Sequence, residues 1–261
     1  MSNNSTALIT GASAGIGEQL AHVFAEYGHN LILVARRQAQ LDALAQELRD
    51  QHRIEVKVIA ADLAADGAVS ALAESLAGIP VDILVNNAGV LSSGSFKHMP
   101  DDGIDNMLRL NVLSLTRLCR QFIQPMVDRG QGRVLNVASI AAFQSVPNLA
   151  VYAATKAYVL NLSEALSVEL ADKGVTVTTL CPGYTDTAML RGPVASGSAK
   201  IAEFTILSPE RVARDGYKAC MAGDAIKVPG IGYAAAMATS RLIPRWVLRR
   251  IAKMATGAPS R

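Results

Sequence analysis

Cysteine is scarce in this chain and scattered where it occurs. Cys119, Cys181 and Cys220 show no CxxC spacing, and the four histidines are equally dispersed, so no zinc pattern is present. Metal-dependent dehydrogenation is therefore not expected, and reduced thiols suit a cytosolic setting. No uninterrupted apolar stretch reaches the ~18 residues needed to span a bilayer. The first strand-like run begins by Ser5, which leaves no room for a signal peptide's basic segment and apolar core; a cytoplasmic protein is expected. There is one tryptophan, and charged residues make up 18% of the chain. Acidic residues stop at Asp224, whereas Lys227, Arg241, Arg245, Arg249, Arg250, Lys253 and Arg261 follow it. What is present in quantity is apolar: 50% of 261 residues, enough for one well-packed α/β unit. No repeat, low-complexity tract or linker divides it.

Strand-like and helix-like segments alternate. Ser5–Thr10 reads as a short buried strand, and Ile16 to about Tyr27 as an amphipathic helix. Asn30–Ala35 is a second strand followed by a helix from Gln38 to about His52. Ile54–Ala60 and Val81–Val85 are further strands. A long helix is expected from about Asp102 to Asp128, then a strand ending at Ser139, a helix through Tyr152 to about Asp172, and a strand over Val175–Leu180. Ala225–Gly230 is a candidate short seventh strand. Continuous apolar strands between helices imply a parallel sheet covered on both faces, whose ligands gather beyond the strands' carboxyl ends.

Tyr152 and Lys156 stand four residues apart, so a helix sets phenol and ammonium on one face, and Ser139 closes the preceding strand. A cation near a phenol favours the phenolate and lowers a pKa that is ordinarily near ~10; a serine hydroxyl opposite would hydrogen-bond a carbonyl or alcohol oxygen. Those three side chains suit moving a proton on and off an alcohol oxygen. At the amino end, Gly11-Ala-Ser13-Ala-Gly15-Ile16-Gly17 joins the first strand to the first helix. Glycines there permit a tight turn and close approach of backbone to a pyrophosphate resting on the helix amino terminus. The spacing is GxxxGxG rather than GxGxxG.

Taken in order, Thr10 to Gly17, Asn86-Asn87-Ala88-Gly89, Asn111, Ser139, Tyr152-Ala-Ala-Thr-Lys156 and Pro182-Gly183 resemble the short-chain dehydrogenase/reductase family, from about Ser5 to Cys220. The resemblance implies a single-domain Rossmann-type doubly wound parallel sheet of about seven strands with helices on both faces, over residues 1–230. It also implies NAD(P)-dependent interconversion of an alcohol and a carbonyl. By the same resemblance, Asp62, followed by Leu63, holds the adenine amino group; as residue chemistry alone it reads equally as a helix cap. Asn86 steadies the sheet centre, Asn87, Ala88 and Gly89 line the adenosine side, and Pro182, Gly183 and Thr185 face the nicotinamide carboxamide, with Thr187 as the alternative donor. Lys156 holds the nicotinamide ribose, and Asn111 bends the long helix and binds a proton-relay water. Where an NAD-selective site has an acid, the second strand here ends in Arg36-Arg37. Guanidinium groups bind a 2′-phosphate through charge-assisted hydrogen bonds, and Ser13 could add a hydroxyl, so NADP(H) is the expected cofactor.

Residues 184–207 are rich in small side chains and suit a lid. Phe143, Val146, Leu149, Tyr184, Met189 and Leu190 would make an apolar wall for a lipophilic carbonyl or alcohol substrate. Residues 231–261 form a basic extension with an amphipathic helix over about Tyr233–Met254, resembling reductases of the DltE-type branch. The seven positive charges that follow Asp224, against a whole-chain net of +3, leave the remainder near −4. The extension could touch anionic membrane or an acyl carrier, or pack over the pocket or another subunit. Family resemblance implies a homodimer or homotetramer pairing through the long helix and the Tyr152 helix. Nucleic-acid binding is not expected, since no aromatic platform accompanies the basic residues. An NADP(H) sensor without turnover is the competing reading.

Overall fold

A computed structural model describes residues 5–191 and 205–240. Seven parallel strands form one sheet: β1 (Thr6–Thr10), β2 (Asn30–Ala35), β3 (Val56–Ala60), β4 (Ile83–Asn86), β5 (Gly132–Val137), β6 (Val175–Leu180) and β7 (Ile226–Lys227), in the spatial order β3-β2-β1-β4-β5-β6-β7. Strand order reverses between β1 and β4, so a crevice opens there, beyond the carboxyl ends. The doubly wound architecture read from the alternating segments is observed.

β1, β2 and β4, at the middle of the sheet, are buried on both faces, which is why they read as nearly unbroken apolar runs. Ala7 and Ile9 of β1 point to one core, with Leu20 and Phe24 of α1 (Gly15–Glu26), Leu41, Leu44 and Leu48 of α2 (Gln38–His52) and Val212 and Tyr217 of α7 (Pro209–Ala222). Leu8 points to the other. That second core gathers Leu72 of α3 (Ala68–Ser75), Leu118, Phe122 and Met126 of α5 (Leu115–Arg129), and Val159 and Leu160 of α6 (Ala150–Glu169).

Three local outcomes differ from the sequence reading. α3 and α7 were not expected as helices; α3 is only 8 residues long, too short for its apolar spacing to stand out. The expected long helix over about Asp102–Asp128 is instead α4 (Asp101–Leu108), a π-helical turn (Arg109–Ser114) and α5. The Ser114 hydroxyl bonds the carbonyls of Arg109 and Leu63, tying the widened turn to the loop after β3. Such insertions bend a helix and accompany functional sites. At the sheet centre, Asn86 and Asn136 are register partners on β4 and β5. Asn86 Nδ2 donates to Asn136 Oδ1 at 2.8 Å, and Asn136 Nδ2 donates to Ser163 Oγ on α6 at 2.9 Å, a buried polar string through an otherwise apolar layer. Beyond β7, α8 (Ile231–Ser240) packs against the 3₁₀ turn Ile140–Phe143. That places the start of the expected basic extension against the site-forming end of the sheet; residues 241–261 lie outside the described residues, as do 192–204 of the expected lid.

Candidate active site

A cleft of about 450 Å³ lies along the carboxyl edge of the sheet. Its walls bring together residues from distant parts of the sequence because six strands, β1 to β6, terminate there.

One end is built by the turn between β1 and α1. Gly11 (φ 67°) and Gly15 (φ 61°) take left-handed backbone, and a Cβ on Gly17 would sit 2.3 Å from the Gly11 carbonyl oxygen. Gly17 itself is buried behind the turn and lets it fold tightly; Gly11, Ser13, Gly15 and Ile16 line the cleft. Among the described residues no side chain caps α1, whose N-cap is Ala14, so its first-turn N–H groups have no side-chain acceptor there. An uncapped helix amino terminus facing a cleft suits an anion. Arg36 and Arg37, at the end of β2, line the same region and are exposed. Arg37 donates from Nε and Nη2 to Ser13 Oγ at 3.2 and 3.0 Å and from Nη2 to the Ser13 carbonyl at 3.1 Å, so its guanidinium is held across the turn. Among the described residues neither arginine pairs with an acid. Asp62 and Leu63 complete this end. Asp62 Oδ1 accepts from the Ala64 N–H at 3.1 Å; α3 begins only at Ala68, behind Gly67, so the aspartate closes a turn rather than capping a helix.

The floor comes from β4. Asn87 Nδ2 donates to the carbonyls of Thr10 and Gly11 at 3.0 and 3.2 Å, stapling the strand ends together, with Ala88 and Gly89 in the lining.

At the other end, Ser139, Tyr152 and Lys156 converge as their spacing predicts. Ser139 leaves β5, its Oγ accepts from the Ala141 N–H at 3.1 Å, and it hydrogen-bonds the Tyr152 phenol. Lys156, one turn along α6, is buried; its Nζ lies 5.8 Å from the Tyr152 ring centroid and donates to the Val137 carbonyl at 2.8 Å. Burial pushes the Tyr152 phenol up to about 12, and the Ser139 bond only moderates this. Burial also brings the Lys156 ammonium down to about 8, opposed by the nearby Cys181 thiol. The sequence reading had the ammonium lowering the phenol's pKa. Desolvation wins instead, and Tyr152 rests as a neutral, hydrogen-bonded acid.

Asn111 sits in the π-helical turn, only 1% exposed and behind the cleft wall. Its Oδ1 accepts from the Val90 N–H and its Nδ2 donates to the Val90 carbonyl, both at 2.9 Å, and Nδ2 also lies 3.2 Å from Thr155 Oγ1 on α6. It therefore ties the chain after β4 to the helix that carries Tyr152. Pro182, Gly183 and Thr185 follow β6 and line the cleft. Thr185 Oγ1 is turned back onto the Gly183 carbonyl at 3.1 Å, and Thr187 Oγ1 onto the Thr185 carbonyl at 3.3 Å, so both hydroxyls brace the segment.

These walls match a known architecture. The short chain dehydrogenase family model matches residues 5–195. The chain belongs to that family. Among its members, very-long-chain 3-oxoacyl-CoA reductase-B of Danio rerio is 35% identical over 187 residues, 70% of this chain and 60% of that protein's length. A short-chain dehydrogenase from Sphingobium yanoikuyae, solved in complex with NADPH, superposes with a TM-score of 0.82 at 32% identity, covering 98% of this chain and 96% of that one. A bulky-bulky ketone specific alcohol dehydrogenase from Comamonas testosteroni gives 0.79 at 30% identity, covering 100% and 96%.

Beside Ser139 and Tyr152 the cleft wall is largely apolar. Val146, Leu149, Tyr184, Met189 and Leu190 line it as expected, but Phe143 does not: it closes the 3₁₀ turn and packs into the second core. Leu91, Ile140 and Gln144 line the cleft without having been singled out. Their loops lack the strand or helix periodicity that would have shown which way they point. Among the described residues no cluster of metal-binding side chains is found, and no helix is long and apolar enough to cross a membrane.

Proposed function

We propose that this short chain dehydrogenase is an NADP(H)-dependent oxidoreductase interconverting a carbonyl and an alcohol on a lipophilic substrate. One observation carries the reading: a single cleft joins an uncapped helix amino terminus, flanked by two arginines with no acid partner among the described residues, to Ser139 and the buried Tyr152 and Lys156 beside an apolar wall.

The residues fit a phosphorylated dinucleotide. The first turn of α1 would take the pyrophosphate, Arg36, Arg37 and Ser13 the 2′-phosphate, Asp62 and Leu63 the adenine, and Asn87, Ala88 and Gly89 the adenosine ribose. Pro182, Gly183 and Thr185 would face the nicotinamide, and Lys156 the adjoining ribose. When bound, NADPH would supply the hydride that reduces the carbonyl carbon, leaving NADP⁺. Tyr152 gives its phenolic proton to the developing alkoxide, so the product is a neutral alcohol. Ser139 holds the same oxygen by hydrogen bonding, in the manner of an oxyanion donor. Lys156 stabilises the phenolate left behind, which is reprotonated from solvent, and Asn111 keeps α6 in place. The reverse reaction uses the phenolate as base.

The relatives support this on both sides of the cleft: one solved neighbour is described with NADPH, another as specific for bulky ketones, and a curated relative as a very-long-chain 3-oxoacyl-CoA reductase. Self-association through α5 and α6 is proposed as well, with Leu113 and Tyr158 exposed on that side at 40% and 39%. A panel of lipophilic ketones and 3-oxoacyl thioesters assayed with NADPH and NADH in parallel tests the proposal. NADPH oxidation by wild type, reduced on the order of 10²–10⁴-fold in Tyr152→Phe with NADPH binding retained, is the expected outcome. Tight NADPH binding without turnover on any substrate would instead identify a sensor.

A further inference from the structure

We propose that Tyr233 on α8 is a positioning residue for the reacting end of the cleft. The start of the carboxyl-terminal extension thereby belongs to the site rather than trailing from the domain. This rests on the functional reading above.

The backbone after β6 that walls this end is poorly anchored by the sheet. Its ladder is one parallel bridge, Thr185 with Leu207, in which the Leu207 N–H donates to the Tyr184 carbonyl at 2.9 Å and the Asp186 N–H to the Leu207 carbonyl at 3.0 Å. Tyr233 bonds both sides of that bridge. Its hydroxyl donates to the Thr205 carbonyl at 2.9 Å and accepts from the Tyr184 N–H at 3.4 Å. Its ring lies directly on Gly183: a Cβ there would come within 2.3 Å of Cε2, so only glycine admits the ring. Gly230, at φ 87°, turns the chain so that α8 starts in this position, and α8 also packs against the turn that follows Ser139. One side chain thus braces the segment expected to face the nicotinamide, on a helix that touches the segment carrying the serine. It touches neither reacting atom; it fixes the backbone that does. Small displacements of such groups slow a reaction far more than they weaken binding, because the bound geometry must be close to the reactive one.

The test compares Tyr233→Phe, which keeps the ring on Gly183 and removes both hydrogen bonds, with wild type. Ile231→Ala serves as control, since Ile231 is on the same helix and 87% exposed. In Tyr233→Phe, kcat should fall on the order of tenfold, as loss of two backbone-directed bonds implies. NADPH Kd, governed by the distant phosphate-binding end, should stay within about twofold. The isotope effect with 4-deuterated NADPH should rise as hydride transfer becomes more limiting. Amide hydrogen exchange at Tyr184, Asp186 and Leu207, read without turnover, should accelerate by about tenfold or more. Wild-type kcat, isotope effect and exchange in Tyr233→Phe would overturn the proposal, as would a lowered Tm with unchanged kcat. Accelerated exchange in a protein whose wild type oxidises neither NADPH nor NADH would uphold the brace and reject the enzymatic reading.

Discussion

Replacing Lys156 with methionine should make the ligand-free protein more stable while removing its activity. The ammonium is buried, and its pKa falls from the ordinary 10.5 to about 8 because desolvation disfavours the charged form. At 1.36 kcal/mol per tenfold change, keeping it protonated at pH 7 costs roughly 3 kcal/mol of folding free energy. Methionine has similar length and no charge. It forfeits the bond to the Val137 carbonyl, worth about 1 kcal/mol, so a net gain of about 1–2 kcal/mol is expected at pH 7. The sign with pH is fixed. Between about 8 and 10.5 the unfolded lysine holds a proton that the folded one has released, so wild-type stability rises through that window. Urea unfolding of both proteins at pH 7 and pH 9.5 is the assay, because other groups titrating in this range cancel in the difference. The advantage of Lys156→Met should shrink by about 2 kcal/mol at the higher pH. A variant that is less stable than wild type by the same amount at both pH values would refute the claim that this lysine is held against its own solvation.

Carbonyl reduction measured as kcat/KM should be flat through neutral pH and decline above about 8, as Lys156 loses its proton while Tyr152, pushed up to about 12, keeps its own; a decline beginning near pH 6 would point to another group. Substituting Arg37 with alanine removes a guanidinium held across Ser13 and should lower NADPH kcat/KM by roughly 10–100-fold, leaving the NADH value nearly unchanged; equal losses with both would exclude 2′-phosphate recognition. Gly17→Ala places a methyl 2.3 Å from the Gly11 carbonyl oxygen and 2.4 Å from Asn87 Nδ2. It should cost about 1–3 kcal/mol in unfolding assays and weaken nucleotide binding; unchanged Kd would mean the turn is not the phosphate cradle.

The parts of this molecule most legible in its sequence are those whose residues report their own geometry. β1, β2 and β4 read as apolar runs because both their faces are covered, and the Gly11–Gly17 turn advertises backbone that bulkier residues could not follow. Tyr152 and Lys156 announce a shared helix face by spacing alone. Other features depend on contacts between remote segments and leave no local pattern. The π-helical turn at Arg109–Ser114 is one, since an inserted residue does not change the composition of an amphipathic run. The direction in which Phe143 points is another, decided by the 3₁₀ turn rather than by hydrophobicity. The balance at Tyr152 is hidden from the sequence for a related reason. Spacing shows that an ammonium is near but says nothing of how dry the pocket is, and dryness decides the pKa. Tyr233 leaves no such mark, because nothing near it in sequence hints at a partner 50 residues earlier.

The amide string linking Asn86, Asn136 and Ser163 acts as a key for strand alignment. Parallel strands that are apolar on both faces could slide past one another with little change in burial, since valine, leucine and isoleucine are nearly interchangeable in such a layer. A slip of β4 against β5 would break the one bond between the two buried amides, at a cost of about 1–3 kcal/mol. Because Asn87–Gly89 emerge from one of these strands and Ser139 from the other, choosing the register also sets the cleft floor and the Ser139 hydroxyl at matching heights. Levelling the two walls of the cleft is thus settled in the middle of the sheet, by residues that never touch a ligand.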